Sequence, residues 1–141
     1  MAIKQLSIFV ENKQGSLHSI TDALAKANIN LRSMCVADTS NYGIVRIIAD
    51  DPERAKELLD KDGHAANIRQ VNAFAVPDQP GGLAAVLSLL EGMGVNIDYM
   101  YALITSEDGK AYSVMRTADT EETDRILREH NIELLTEDKL H

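Results

Sequence analysis

Residues 11–40 read ENKQGSLHSITDALAKANINLRSMCVADTS, and residues 77–106 read PDQPGGLAAVLSLLEGMGVNIDYMYALITS. Laid one on the other, they coincide at Gly15/Gly81, Leu17/Leu83, Leu24/Leu90, Asn30/Asn96, Met34/Met100 and Thr39/Thr105, each pair 66 positions apart. Further on the register slips by three, so that Ala49-Asp50 meets Ala118-Asp119. The matches run through a turn, a helix and a strand. A whole folding unit is therefore duplicated, and the chain divides into residues 1–70 and 71–141.

Hydrophobic periodicity assigns the elements of each copy. In Ile3–Val10, Leu6, Ile8 and Val10 alternate with polar residues, which predicts a strand. Asn12–Ser16 is a polar loop. Leu17, Ile20, Ala23, Leu24 and Ala27 then recur at helical spacing, and Asn28 suits the left-handed position that ends a helix. Leu31–Ala37 and Tyr42–Ala49 read as strands joined by a turn at Asp38-Thr39-Ser40-Asn41. Asp51-Pro52-Glu53 is an N-cap, a proline at the first helical position and an acid at the positive dipole end. That helix buries Ala55, Leu58 and Leu59 and closes at Gly63. Asn67–Val76 finishes one copy and opens the next. The second copy continues with a helix over Leu83–Met93 ending through Gly92 or Gly94. Strands at Ile97–Thr105 and Ala111–Thr117 flank a turn at Glu107-Asp108-Gly109. A helix near Glu121–His130, capped by Asp119 or Thr120, leads to a last strand at Ile132–Thr136. Each copy is βαββαβ, the α+β ferredoxin-like arrangement, with helices on one face of an antiparallel sheet.

Two copies of about 70 residues each sit near the lower limit for an independent core, so they are expected to bury surface against each other. By period-two counting the uncovered sheet face carries Phe9, Ile44, Ile48 and Phe74. An apolar face of this kind predicts a homodimer, the alternative being cover from neighbouring side chains and the C-terminal tail.

Composition narrows the function. Apolar residues make up 45% of the 141, which excludes disorder. The net charge of −8, with no run of Lys or Arg, argues against nucleic acid and anionic membranes as partners. Aromatic residues are only 4%, too few for an RNA-stacking sheet. Cys35 is the single cysteine, which excludes an intrachain disulfide and favours a reducing, cytoplasmic setting. No stretch approaches the ~20 apolar residues of a membrane span, and MAIKQLSIFV alternates too regularly for a secretory signal. His18, His64, His130 and His141 are scattered without metal-site spacing, so neither metal nor cofactor is expected. Cys35 reads as a buried structural thiol. Glu121, Glu122 and Asp124 read as solvated acids that complement a helix dipole. Tyr99 and Tyr101 share one strand face and either close a pocket or fill an interface.

The strongest local signal is Asp78-Gln79-Pro80-Gly81-Gly82-Leu83, with Asn96-Ile97 at the start of the following strand. Its counterpart is Asn12-Lys13-Gln14-Gly15-Ser16-Leu17, with Asn30-Leu31. A glycine turn brings backbone close to whatever sits at its tip. The helix behind it offers unpaired N–H groups and a positive dipole end to a carboxylate. Asn12 or Asp78 can accept from an ammonium group, and Asn30 and Asn96 both donate and accept. These groups suit a zwitterion, an α-amino acid. The plainer reading is that Asn12 and Asp78 are helix caps and that Asn30 and Asn96 shape turns.

These residues resemble the ACT domain family of small-molecule regulatory modules. The likeness lies in D-x-P-G-x-L (Asp78, Pro80, Gly81, Leu83), the helix after it and G-x-N-I (Gly94 to Ile97). The first copy carries N-x-x-G-x-L (Asn12, Gly15, Leu17) and N-I-N-L (Asn28 to Leu31), with Gln14 in place of the proline and Asn28 in place of the glycine. The resemblance covers the whole chain as two modules and is greatest to stand-alone tandem ACT proteins without a catalytic domain. It implies amino-acid binding where two modules meet side by side, their sheets joined into one of eight strands. The loops Lys13–Leu17 and Gln79–Leu83, Asn12 or Asp78, Asn30 or Asn96 and the backbone of Leu31 and Ile97 would hold the ligand. In some serine-binding relatives a histidine stands two residues before the Asn/Asp position; Val10 and Val76 stand there in this chain, which argues against serine. The protein is thus expected to be a non-catalytic sensor that acts on itself or on a metabolic enzyme, with the better-formed site at Asp78–Leu83. The competing reading is a small enzyme resembling acylphosphatase. Such an enzyme needs a phosphate-loop arginine, and the first loop offers only Lys13.

Overall fold

Strand β1 spans Ile3–Glu11, and its alternation puts Leu6, Ile8 and Val10 into a core with Ile20 and Leu24 of helix α1, Ser16–Lys26. The computed structural model describes residues 2–38, 41–104 and 109–140. Strands β2 (Leu31–Asp38) and β3 (Tyr42–Ala49) follow, then helix α2 (Pro52–Lys61) and strand β4 (Ala66–Pro77). The second half holds α3 (Gly82–Gly92), β5 (Ile97–Ala102), β6 (Lys110–Thr117), α4 (Thr120–Glu129) and a four-residue α5 (Glu137–Leu140). Of the expected turns, Thr39, Ser40, Glu107 and Asp108 lie outside the described residues, as do Thr105 at the end of one expected strand and His141.

Two compact units divide the chain, Lys4–Arg69 and residues 70–140 with Ala2 and Ile3. The first is an antiparallel sheet in the order β2-β3-β1, with Leu6 opposite Ile47 and Val10 opposite Gly43. Val45, Ile47 and Ala49 of β3, with Ala55 and Leu59 of α2, complete the core that β1 and α1 begin. In the second unit β4-β6-β5 pair antiparallel, and Phe74, Val76 and Met115 meet Val86 and Leu90 of α3 and Ile126 and Leu127 of α4. The unit boundary falls inside β4, which serves both copies without a linker.

The helix ends are built as their residues dictate. Asp51 accepts from the Arg54 N–H at 3.2 Å and Asp119 from the Glu122 N–H at 3.0 Å, each capping the helix that follows. Asn28 (φ 58°) and Gly94 (φ 76°) occupy matching left-handed positions after α1 and α3, so Asn28 does the work of the missing glycine.

Four expectations are corrected. Phe74 is not on the uncovered face; it is fully buried in the helix-side core. Of its supposed companions, Phe9 is 59% exposed, Ile44 is half-buried and Ile48 is buried. Asp124 is not solvated: it is buried and accepts from Asn72 Nδ2 at 2.6 Å. Asn72 Oδ1 in turn accepts from Thr117, whose hydroxyl lies 2.9 Å from that of Thr123, a closed polar network that satisfies each buried group. The last strand contracts to one bridge, Phe74 to Leu134, with Ala75 and Leu135 N–H groups donating to Glu133 and Ala73 carbonyls at 2.9 Å. Finally, the register slips by two rather than three. By structural role Asp51 answers to Asp119, Gly63 to Asn131 and Tyr42 to Lys110, because each pair caps, ends or pairs the same element.

The C-terminal segment is clasped electrostatically. Lys110 Nζ lies 2.8 Å from Glu133 Oε2, and Lys139 Nζ lies 3.5 Å from Glu133 Oε1. The hydrogen bond from Lys110 is the main cause that holds the Glu133 carboxyl below the ordinary glutamate range. A depressed carboxyl stabilises the fold above the ordinary glutamate pKa of about 4.3, and that stabilisation is lost as pH falls through the lower folded value. Amide protection factors at Leu135 should therefore drop on acidification below about pH 4. In Lys110→Ala they should already be low at neutral pH. Full protection of wild type at pH 3 would count against the clasp.

Candidate functional site

The two glycine turns fold alike. Gly15 (φ 86°, ψ −6°) is the N-cap of α1, and Gly81 (φ 85°, ψ −7°) is the N-cap of α3. Neither helix receives a side-chain cap hydrogen bond, so Asn12 and Asp78 are not caps in the usual sense. Their own backbone N–H groups donate instead to Asn41 O (2.9 Å) and Gly109 O (2.8 Å), which ties each loop to the turn between the module's two middle strands. The first N–H of each helix donates to a loop carbonyl, Ser16 to Lys13 O at 3.3 Å and Gly82 to Gln79 O at 3.0 Å, and no side chain caps the rest of either first turn, an arrangement that suits a carboxylate.

At the first turn a cavity of about 230 Å³ collects Asn12, Lys13, Ser16 and Leu17 of the expected set. Leu17 is 39% exposed, off the α1 core stripe, and forms part of the cavity wall. Val10, Glu11, Val36 and Gly43 complete the lining, and the residue pattern of the turn alone did not reveal them. Gly43 matters through its size: a Cβ there would stand 3.3 Å from Ala37 O and 3.6 Å from Val10 Cγ2. Lys13 pairs with Glu11 at 3.1 Å, and Lys13 and Ser16 also border a second cavity of about 380 Å³.

The second turn is tighter. Gly82 is buried, and a Cβ on it would sit 2.1 Å from Pro77 O. Gln79, Pro80 and Gly81 are exposed, and Leu83 is 38% exposed like its counterpart Leu17.

The asparagines lie elsewhere within each unit. Asn30 follows α1 and Asn96 follows α3, while the glycine turns precede those helices. Eleven residues of helix separate the two groups by roughly 16 Å. Asn30 O accepts from the Asp50 N–H at 3.1 Å, next to the Arg32–Asp50 ion pair at 2.9 Å that joins β2 to the end of β3. Leu31 packs against the first core and Ile97 against the second. Asn96 borders a different cavity of about 300 Å³ together with Gly94, Asp98, Thr117 and Asp119. No single unit brings a glycine turn and its asparagine together.

Tyr99 and Tyr101 stack at 6.5 Å with ring planes 13° apart. Cys35 is a half-buried free thiol. His130 Nδ1 lies 2.8 Å from Ile126 O. Among the described residues no group of His, Cys, Asp and Glu is placed to hold a metal ion, and no helix is long and apolar enough to cross a membrane.

A tandem of ferredoxin-like α+β modules, each starting its first helix on a left-handed glycine, defines the class of this chain. It matches the model for the ACT domain pair over residues 1–141 and belongs to that family. It is 40% identical to protein BT0572 from Bacteroides thetaiotaomicron, covering 99% of this chain and 96% of that one, with a TM-score of 0.92. It shares its fold, at 14% identity and a TM-score of 0.67, with the ligand-free regulatory subunit of aspartate kinase from Thermus thermophilus, over 89% of this chain and 91% of that one. The aspartokinase alpha and beta subunits share the fold at 20% identity and a TM-score of 0.58, over 91% and 95%. A search of curated proteins gave no match.

Proposed function

We propose that this ACT domain pair is a non-catalytic regulatory protein that binds an amino acid at its glycine turns. The observation that carries the proposal is the repeated, uncapped helix start at Gly15 and Gly81, with a cavity of amino-acid size beside the first. A ligand carboxylate would sit at the first turn of α1, which no side chain caps, and its ammonium would meet Asn12 and Glu11. Asn30 and Asn96 enter the proposal as groups brought by a second module, since each lies a helix length from its own turn. On this reading residues 1–70 and 71–141 act as paired modules in a cytoplasmic homodimer. The half-exposed Met34 and Val36 on strand β2, at one edge of the first sheet, support such a contact. The regulated partner is the protein itself or a metabolic enzyme. The ligand acts by favouring the association that completes its site, in proportion to its differential affinity.

An enzymatic role of acylphosphatase type has less support. Lys13 is the cation of the first loop, and it is already paired with Glu11.

Calorimetric titration of the folded protein with the twenty amino acids tests the proposal. At least one should bind at millimolar concentration or better. Asn12→Ala should weaken it about tenfold, the loss expected for one hydrogen bond to a charged group. If none of the twenty binds, amino-acid sensing is excluded.

A further inference from the structure

The two modules treat one equivalent space differently. In the second module, the Ala75 N–H donates to Glu133 O, and Glu133 forms its ion pair with Lys110 at the start of β6. In the first module the Phe9 N–H donates to Ala65 O at 3.4 Å, the same bond two strands along the same pattern. There Tyr42 stands where Lys110 stands in the second module, and Ala65 where Glu133 stands. The ion pair that spans this space in one module is thus replaced in the other by a phenol and a methyl group. A cavity of about 380 Å³ opens beside them.

Its lining is not that of an unused gap. Phe9 and Tyr42 place two rings on it, 59% and 58% exposed, on the sheet face opposite the first core. Glu11 and Lys13 contribute a solvent-exposed ion pair, and Ser16 a hydroxyl at the start of α1. His64 reaches across from the end of α2, its Nε2 3.3 Å from Ser19 Oγ of α1. An exposed ion pair contributes little by itself. A zwitterion can divide it with small loss, its ammonium on Glu11 and its carboxylate at the start of α1 beside Lys13 and Ser16, which border both cavities. The rings then have only one part of the ligand left to cover, its side chain.

We infer that the first module carries a pocket, in the space that the Lys110–Glu133 ion pair spans in the second, that selects an amino acid with a large apolar or aromatic side chain. This rests on the amino-acid reading above and adds to it a side-chain class and a place: the Phe9–Tyr42–His64 cavity, bordered by the same turn.

The test uses the whole chain, phenylalanine, leucine, alanine and serine as probes, and two variants. Phe9→Ala removes one exposed ring. The pair Tyr42→Lys with Ala65→Glu imports the ion pair that spans this space in the second module. Wild type should bind phenylalanine or leucine at least tenfold tighter than alanine or serine. It should show amide shifts at residues 63–65, which border this cavity and not the smaller one. Both variants should stay folded and lose that preference. If amino acids bind without side-chain preference, or shift Val36 and Gly43 but not 63–65, the pocket is not used and amino-acid sensing stands. A preference that survives both variants overturns the inference equally. If nothing binds, both readings fall.

Discussion

Phe74→Ala is expected to lower the free energy of unfolding by about 3–5 kcal/mol, the cost of emptying a fully buried phenylalanine site. Phe74 has no exposed surface and packs in one cluster with Val86, Leu90, Met115, Ile126 and Leu127, so α3 and α4 lose a shared contact when it is cut back. Phe9→Ala, at a residue 59% exposed, should cost less than about 1 kcal/mol. Urea unfolding of the two variants, with equal slopes as the check on two-state behaviour, measures the difference. If Phe9→Ala proves as costly as Phe74→Ala, the assignment of faces in β1 and β4 is wrong.

That pair of residues also shows how far the sequence could be read. Counting by twos along each strand put Phe9 and Phe74 on one surface. The repeat itself says otherwise, because the 66-residue offset sets Phe74 opposite Ile8 and Ala75 opposite Phe9, and Ile8 is a core residue. Local rules worked wherever the determinants were local. β3 runs over Tyr42–Ala49 as its alternation demands, Asp51-Pro52 starts a helix, and Asn28 takes the left-handed position. They failed where a distant partner decides. Asp124 looks like a surface acid on α4 until Asn72, on β4, is brought against it. The turn residues of the candidate site were legible because glycine conformation and helix starts are written within six residues. The rest of the lining was not, since Val36, Gly43 and His64 reach the first turn from β2, β3 and the end of α2. Asn30 and Asn96 show the same limit: each follows the helix that its glycine turn precedes, so nearness in sequence does not bring the asparagine to its own turn.

Gly82→Ala should cost about 3 kcal/mol, near the upper range for forcing an atom into a close-packed site. The added Cβ would lie 2.1 Å from Pro77 O and 3.2 Å from Pro77 C. Both are backbone atoms and cannot swing away as a side-chain tip can. To admit the methyl group, the turn must open between Pro77 and Gly82, breaking the Gly82 N–H bond to Gln79 O (3.0 Å) and shifting the start of α3. The first module already has a side chain at this position, Ser16, behind Glu11 rather than a proline, and its corresponding bond to Lys13 O is longer at 3.3 Å. Ser16→Gly should therefore change stability by no more than about 1 kcal/mol, the backbone-entropy cost of glycine in a helix. Gly82→Ser should behave like Gly82→Ala although it copies the first module. Thermal unfolding of Ser16→Gly, Gly82→Ala and Gly82→Ser decides the matter. If Gly82→Ser is as mild as Ser16→Gly, the two turns are interchangeable, and the difference between the modules must be sought in the cavities alone.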